Sequence, residues 1–145
     1  MIAVDTNILV YAHREPSPFR DQAVQCMSGL AEGSAPWAMP WPCLHEFIAV
    51  VTNARLFGTP TPLEIALDQV EAWLGSPSVV LLAEAETHWR DLKQVLSHGR
   101  IAGPAVYDAK IAVICMANDV EELWTADRDF GRFPALKVRN PLVSR

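Results

Sequence analysis

Short apolar runs alternate along the chain with longer stretches of helical spacing. Ile2, Ala3 and Val4 are apolar, Asp5-Thr6-Asn7 follow at once, and Ile8 to Ala12 are apolar again. An apolar run that meets Asp-Thr-Asn predicts a buried strand handing over to a helix. Glu15-Pro16-Ser17-Pro18 predicts a turn, because two prolines do not continue a helix interior. The spacing of Ala23, Met27 and Leu30 predicts a second helix over 19–30, and 37–39 a second strand. Pro42, a residue suited to the first helical position, opens a third helix. Leu44, Phe47, Ile48 and Val51 recur there at i, i+3, i+4 and i+7, a core-facing stripe.

Residues 53–61, with Gly58 and Pro60, predict a loop. Pro62 opens a helix to about Leu74, with Ile65, Val70 and Trp73 among its apolar positions, and 56–75 is expected to protrude as a helical arm. Val79 to Ala83 is apolar throughout, as in a parallel strand buried on both faces. An amphipathic helix follows over 87–96. Gly103-Pro104 opens the most apolar helix, which runs to Asn118. Residues 123–126 predict a strand that ends at Asp127, and 136–138 an edge strand. The order β-α-α-β-α-α-β-α-α-β-β predicts an α/β domain with a mostly parallel sheet. Right-handed crossovers put the strand ends on one edge, so Asp5 and Asp127 are expected together. Ligands of such sheets bind outside the carboxyl ends of the strands.

Composition narrows the picture. A chain of 145 residues suits one domain over 1–145, and its 50% hydrophobic content excludes disorder. The longest apolar run, 111–117, is far too short to cross a bilayer. The N-terminus lacks a basic region, so no secretory signal is expected. Cys26, Cys43 and Cys115 are odd in number, far apart and in no ligand spacing; they are expected to be reduced thiols in a cytoplasmic protein. Acids outnumber bases by 17 to 12, a net charge of −5, which is awkward for a nucleic-acid binder. The positions of the acids therefore carry the information.

Asp5 either caps the helix after it or serves as a ligand at a strand end. Glu46 flanks the stripe of the third helix, either exposed or turned toward a site. Asp108 shares a face with Ile111, Ala112 and Cys115. A carboxylate in so apolar a helix is costly unless paired or coordinated. Asp127 stands at a second strand end, with Asp129 two residues on. Two charges about 5 Å apart repel by roughly 3 kcal/mol at an effective dielectric of 20. Converged, these groups must take up protons or hold cations. All-oxygen ligands favour magnesium or manganese over zinc. His45-Glu46 does not extend to HExxH, because residue 49 is Ala, and neither a P-loop nor GxGxxG is present. His13, His45, His88 and His98 have no ligand spacing.

Val4-Asp5-Thr6-Asn7, Glu46 in the third helix, Asp108-Ala109 in an apolar helix and Thr125-Ala126-Asp127-Arg128-Asp129-Phe130, in that order, resemble a PIN domain. The short chain is similar specifically to VapC-type toxin ribonucleases. The resemblance implies a three-layer α/β/α sandwich with a mostly parallel central sheet. It also implies Mg2+- or Mn2+-dependent RNA cleavage, a cognate antitoxin protein and a homodimer. Asp5, Glu46 and Asp108 would bind a first cation. Asp127 would complete the pocket or help hold a second one, with Asp129 as a further acid that could instead pair with Arg128 or Arg132. Thr6 and Thr125 would orient carboxylates or water. The expected chemistry is phosphodiester hydrolysis by a metal-activated water attacking in line. Lys110, Arg128 and Arg132 lie near the acidic stretches and are either phosphate contacts or plain surface charges. Trp41, near Glu46, is a candidate base-stacking platform. Two other readings stay open: a non-catalytic RNA- or protein-binding module with a structural cation site, and a phosphatase or DNA nuclease on a similar fold.

Overall fold

The computed structural model describes residues 1–143. The elements are β1 (Ile2–Val4), α1 (Thr6–His13), α2 (Arg20–Glu32), β2 (Trp37–Pro40), α3 (Trp41–Val51), α4 (Leu63–Leu74), β3 (Val79–Leu82), α5 (His88–Gly99), α6 (Ala105–Ala117), β4 (Glu122–Trp124), a short 3-10 helix (Arg128–Arg132) and β5 (Val138–Arg139). The strands form one sheet in the order β3-β2-β1-β4-β5, and every pairing is parallel.

Side chains alternate along each central strand, so the sheet separates two cores. Val4 of β1 and Trp37 and Met39 of β2 face Ile8, Leu9, Leu44 and Phe47 on one side. Ala3 and Ala38, from the same strands, face Ala112, Ile114 and Cys115 of α6 on the other. Helices α1 to α4 cover the first face, and α5, α6 and the 3-10 turn cover the second. The result is the α/β/α sandwich expected.

This topology fixes where chemistry belongs. The chain leaves β1 toward β2 on one side and reaches β4 on the other. Between β1 and β4 the strand order reverses, and a crevice opens at their carboxyl ends. Val4 is in register with Trp124, so the next residues, Asp5 and Thr125, emerge side by side. The Asp5 amide donates to the Trp124 carbonyl at 3.0 Å.

Two expectations need correction. The 79–83 segment is an edge strand rather than one buried on both faces, and Val80 is 38% exposed. An apolar run alone does not distinguish an edge from a centre. The 56–75 segment is not a protruding arm. Ala66, Val70 and Trp73 of α4 join the first core, and the Trp73 ring meets Phe47 of α3 edge-on at 4.8 Å. Ile65, on the other side of α4, is exposed.

Trp73→Ala is expected to lower stability by about 3–5 kcal/mol in a urea titration. A loss below about 1 kcal/mol would contradict the packing of α4.

Candidate metal centre

Asp5 ends β1 and caps α1, with an extended backbone (φ −83°, ψ 161°). The capping role read from the sequence is met, and the carboxylate also lines the cleft at the strand end. Its Oδ1 accepts from the Thr6 amide at 2.8 Å and the Cys43 thiol at 3.5 Å. Its Oδ2 accepts from the Thr125 hydroxyl at 2.8 Å and from Asn7 Nδ2 at 3.2 Å. The residue is only 6% exposed. Thr125 Oγ1 in turn accepts from the Asp127 amide at 3.0 Å and from Asn7 Nδ2 at 3.0 Å. Asn7 Oδ1 accepts from the Ala126 amide at 2.9 Å. This net stitches the end of β1 to the end of β4.

Asp127 caps the 3-10 turn through the Asp129 amide at 2.8 Å. Asp108 lies in the first turn of α6, and Glu46 lies on α3. Asp5, Glu46, Asp108 and Asp127 all line one cleft of about 290 Å³. The tightest oxygen cluster is a different set. Carboxylate oxygens of Asp108, Asp127 and Asp129 lie within 4.8 Å of one another. Asp108 and Asp127 belong to both groups and join them.

The charges interact as crowded carboxylates must. Burial raises the Asp5 pKa most, against the pull of the Thr125, Thr6 and Cys43 donors, and the Asp127 charge raises it further. Glu46 is raised by burial and then by the charges of Asp5 and Asp108. Asp108 is raised by burial and by Asp127, Asp5 and Asp129, while Arg132 pulls it down. Burial, with the Asp5 charge beside it, also pushes the Cys43 thiol well up, so Cys43 remains a protonated donor to Asp5. Anionic oxygen donors that repel one another across a cleft fit a hard divalent cation.

This chain's similarities agree with that chemistry. The PIN domain family profile matches residues 2–136. The chain belongs to the PIN-domain family. A relative named Ribonuclease VapC43, from Mycobacterium tuberculosis, is 37% identical over 142 residues, 98% of this chain and 96% of the relative. Among solved structures, VapBC2 from Rickettsia felis bound to a promoter DNA fragment aligns at TM-score 0.68 and 21% identity, covering 97% of this chain and 98% of that one. VapC20 from M. tuberculosis, a sarcin-ricin loop cleaving toxin, aligns at TM-score 0.66 and 14% identity over 90% and 93% of the two chains. At these identities the structures show the PIN fold alone.

The remaining residues singled out above fall as follows. Thr6 lines the cleft, and its hydroxyl contacts the Cys43 carbonyl at 3.4 Å. Thr125 bonds Asp5 and not the cleft space. Arg132 donates from Nε to the Asp129 carbonyl at 3.2 Å and Arg128 is exposed, and neither lines the cleft. Lys110 lies outside the cleft lining, with its ammonium 3.5 Å from Glu84. Trp41 is also outside the lining and tilts onto His45, with the rings 6.1 Å apart. The sequence pattern gives Asn7, Cys43, Tyr11 and Tyr107 no individual role at the site. Asn7 carries the one available signal, an amide two residues after a strand-end Asp.

Raised carboxylate pKa values favour the folded state while the groups are protonated. In chelator, their contribution is complete below the ordinary values of 3.8 for Asp and 4.5 for Glu. It is lost as pH rises through the raised values. Thermal melts in chelator should therefore decline over that rise, and Asp108→Asn should flatten the decline. At neutral pH the variant's Tm should be higher, on the order of 2–4 °C. An Asp108→Asn profile parallel to the parent's would contradict repulsion at this cleft.

Proposed function

We propose that this chain is a VapC-type endoribonuclease, the toxin of a toxin–antitoxin pair, and that Mg2+ or Mn2+ serves it at the acidic cleft. The observation that carries this reading is the convergence of Asp5, Glu46, Asp108 and Asp127 at the carboxyl edge of the sheet. Family membership and the ribonuclease name of a full-length relative support it.

In this reading Asp5, Glu46 and Asp108 hold the cation, and Asp127, with Asp129, completes the anionic wall. Such an ion supplies Lewis-acid activation of water and neutralises charge developing on a phosphoryl group. The protein's own part is placement. Thr125, Asn7, Cys43 and the Thr6 amide fix the Asp5 carboxylate without a free rotor. Thr125 also holds the turn that presents Asp127. Such outer partners orient ligands and set their basicity. Arg132, close enough to lower the Asp108 pKa, would meet a phosphate oxygen in this reading, with Arg128 of the same 3-10 turn as a second cation.

A cognate antitoxin protein, a homodimer and a cytoplasmic setting accompany this reading. Among the described residues no helix is long and apolar enough to cross a membrane.

RNA cleavage should require Mg2+ or Mn2+, stop with EDTA, and fall to background in both Asp5→Asn and Asp108→Asn. Thr125→Val should lose on the order of 10–100-fold in activity or metal affinity. Cleavage that survives both aspartate substitutions would defeat the assignment. Intact RNA beside tight, metal-independent binding would favour a binding module. Equal turnover of DNA or a phosphomonoester would favour the other hydrolases.

A further inference from the structure

Tyr107 precedes Asp108 in the first turn of α6 and lines the same cleft. It is 71% exposed, the most exposed of the large hydrophobic side chains among the described residues. The other aromatic of the lining, and Trp41 outside it, are engaged. Tyr11 lines the cleft but meets Phe19 edge-on at 5.3 Å, and Trp41 leans on His45. No ring pair or hydrogen bond engages the Tyr107 side chain among the described residues. We propose that Tyr107 is a substrate-binding residue that stacks on the base of a nucleotide flanking the scissile phosphate, and so selects unpaired RNA.

The charge distribution favours such a contact. Most protein affinity for nucleic acid comes from cations on phosphates. Here the net charge is −5 and the cleft wall is acidic. Lys110 is paired with Glu84, Arg20 with Glu15, and Arg14 lies over the Phe57 ring, its guanidinium donating to the Thr59 carbonyl. Arg128 and Arg132 sit on the 3-10 turn that carries Asp129, outside the cleft lining, and Arg132 already donates to the Asp129 carbonyl. A metal holds one phosphate but does not read a base. Stacking on an aromatic face supplies about 1–3 kcal/mol per base and is indifferent to charge. A residue adjacent in sequence to Asp108 is well placed for a nucleotide next to the phosphate held there. In an A-form duplex both base faces are already stacked, so the ring selects single strands, loops and bulges.

This inference rests on the ribonuclease reading, and two readouts separate them. The first is binding of a fluorescein-labelled oligouridine to the full chain, with Ca2+ in place of Mg2+ to suppress turnover. Tyr107→Phe should bind within about twofold of the parent, while Tyr107→Ala and Tyr107→Leu should each weaken Kd about tenfold. The second is cleavage in Mg2+, where Tyr107→Ala should raise KM by a similar factor and leave kcat nearly unchanged. An RNA duplex should compete poorly. Unchanged Kd in both the Ala and Leu variants, or a duplex that competes as well as oligouridine, would overturn the stacking role. If the parent cuts no RNA but the Ala and Leu variants still weaken oligouridine binding, the nuclease reading fails and the stacking contact stands.

Discussion

A carboxylate placed out of water between two parallel strands is the constraint on which this molecule turns. Asp5 sits where β1 and β4 diverge, and isolation there would be costly. Four donors meet it: an amide, a thiol, a hydroxyl and a side-chain amide. Those donors come from α1, α3 and the end of β4, so satisfying Asp5 fixes how these elements meet. The pKa of Asp5 is nevertheless raised, because burial and the neighbouring Asp127 outweigh the donors. The fold therefore holds a group whose charge is only partly compensated from within.

The other acids sharpen that imbalance. Asp108 is embedded in a helix whose following turns are almost wholly buried, and Asp127 meets it from the start of the 3-10 turn, packed on the same face of the sheet. Glu46 adds a charge from α3, and Asp129 from the 3-10 turn. Within the described residues, Arg132 is the one cation that moderates Asp108. Fold, acidity and proposed chemistry are thus linked: the parallel sheet gathers the carboxylates, and on the proposed reading a divalent cation would compensate them. On that reading an acidic protein could handle an anionic polymer, the metal meeting the phosphate and the exposed Tyr107 ring meeting the base.

Much of this was legible because strand ends announce themselves. Apolar runs that stop on Asp5 and near Asp127 marked two strands, and the alternation of helices and strands implied a parallel sheet. Asp108 stood out because a charge among Ala109, Ile111 and Ala112 needs a partner. What stayed hidden depends on long-range neighbours. The run at 79–82 reads alike at an edge or a centre, and α4 shows its packing only once Trp73 finds Phe47. Asn7 bonds Thr125, 118 residues away, which no local pattern reveals. Lys110 was a different case. Two residues from Asp108, it is about 200° around the helix, and its ammonium meets Glu84 outside the cleft lining.

A Mn2+ soak of crystals, read by anomalous scattering, addresses the acidic cleft most directly. The peak should fall among the carboxylates of Asp5, Glu46, Asp108 and Asp127. No peak there at saturating Mn2+, or a peak held by other residues, would show that these acids are not a metal centre.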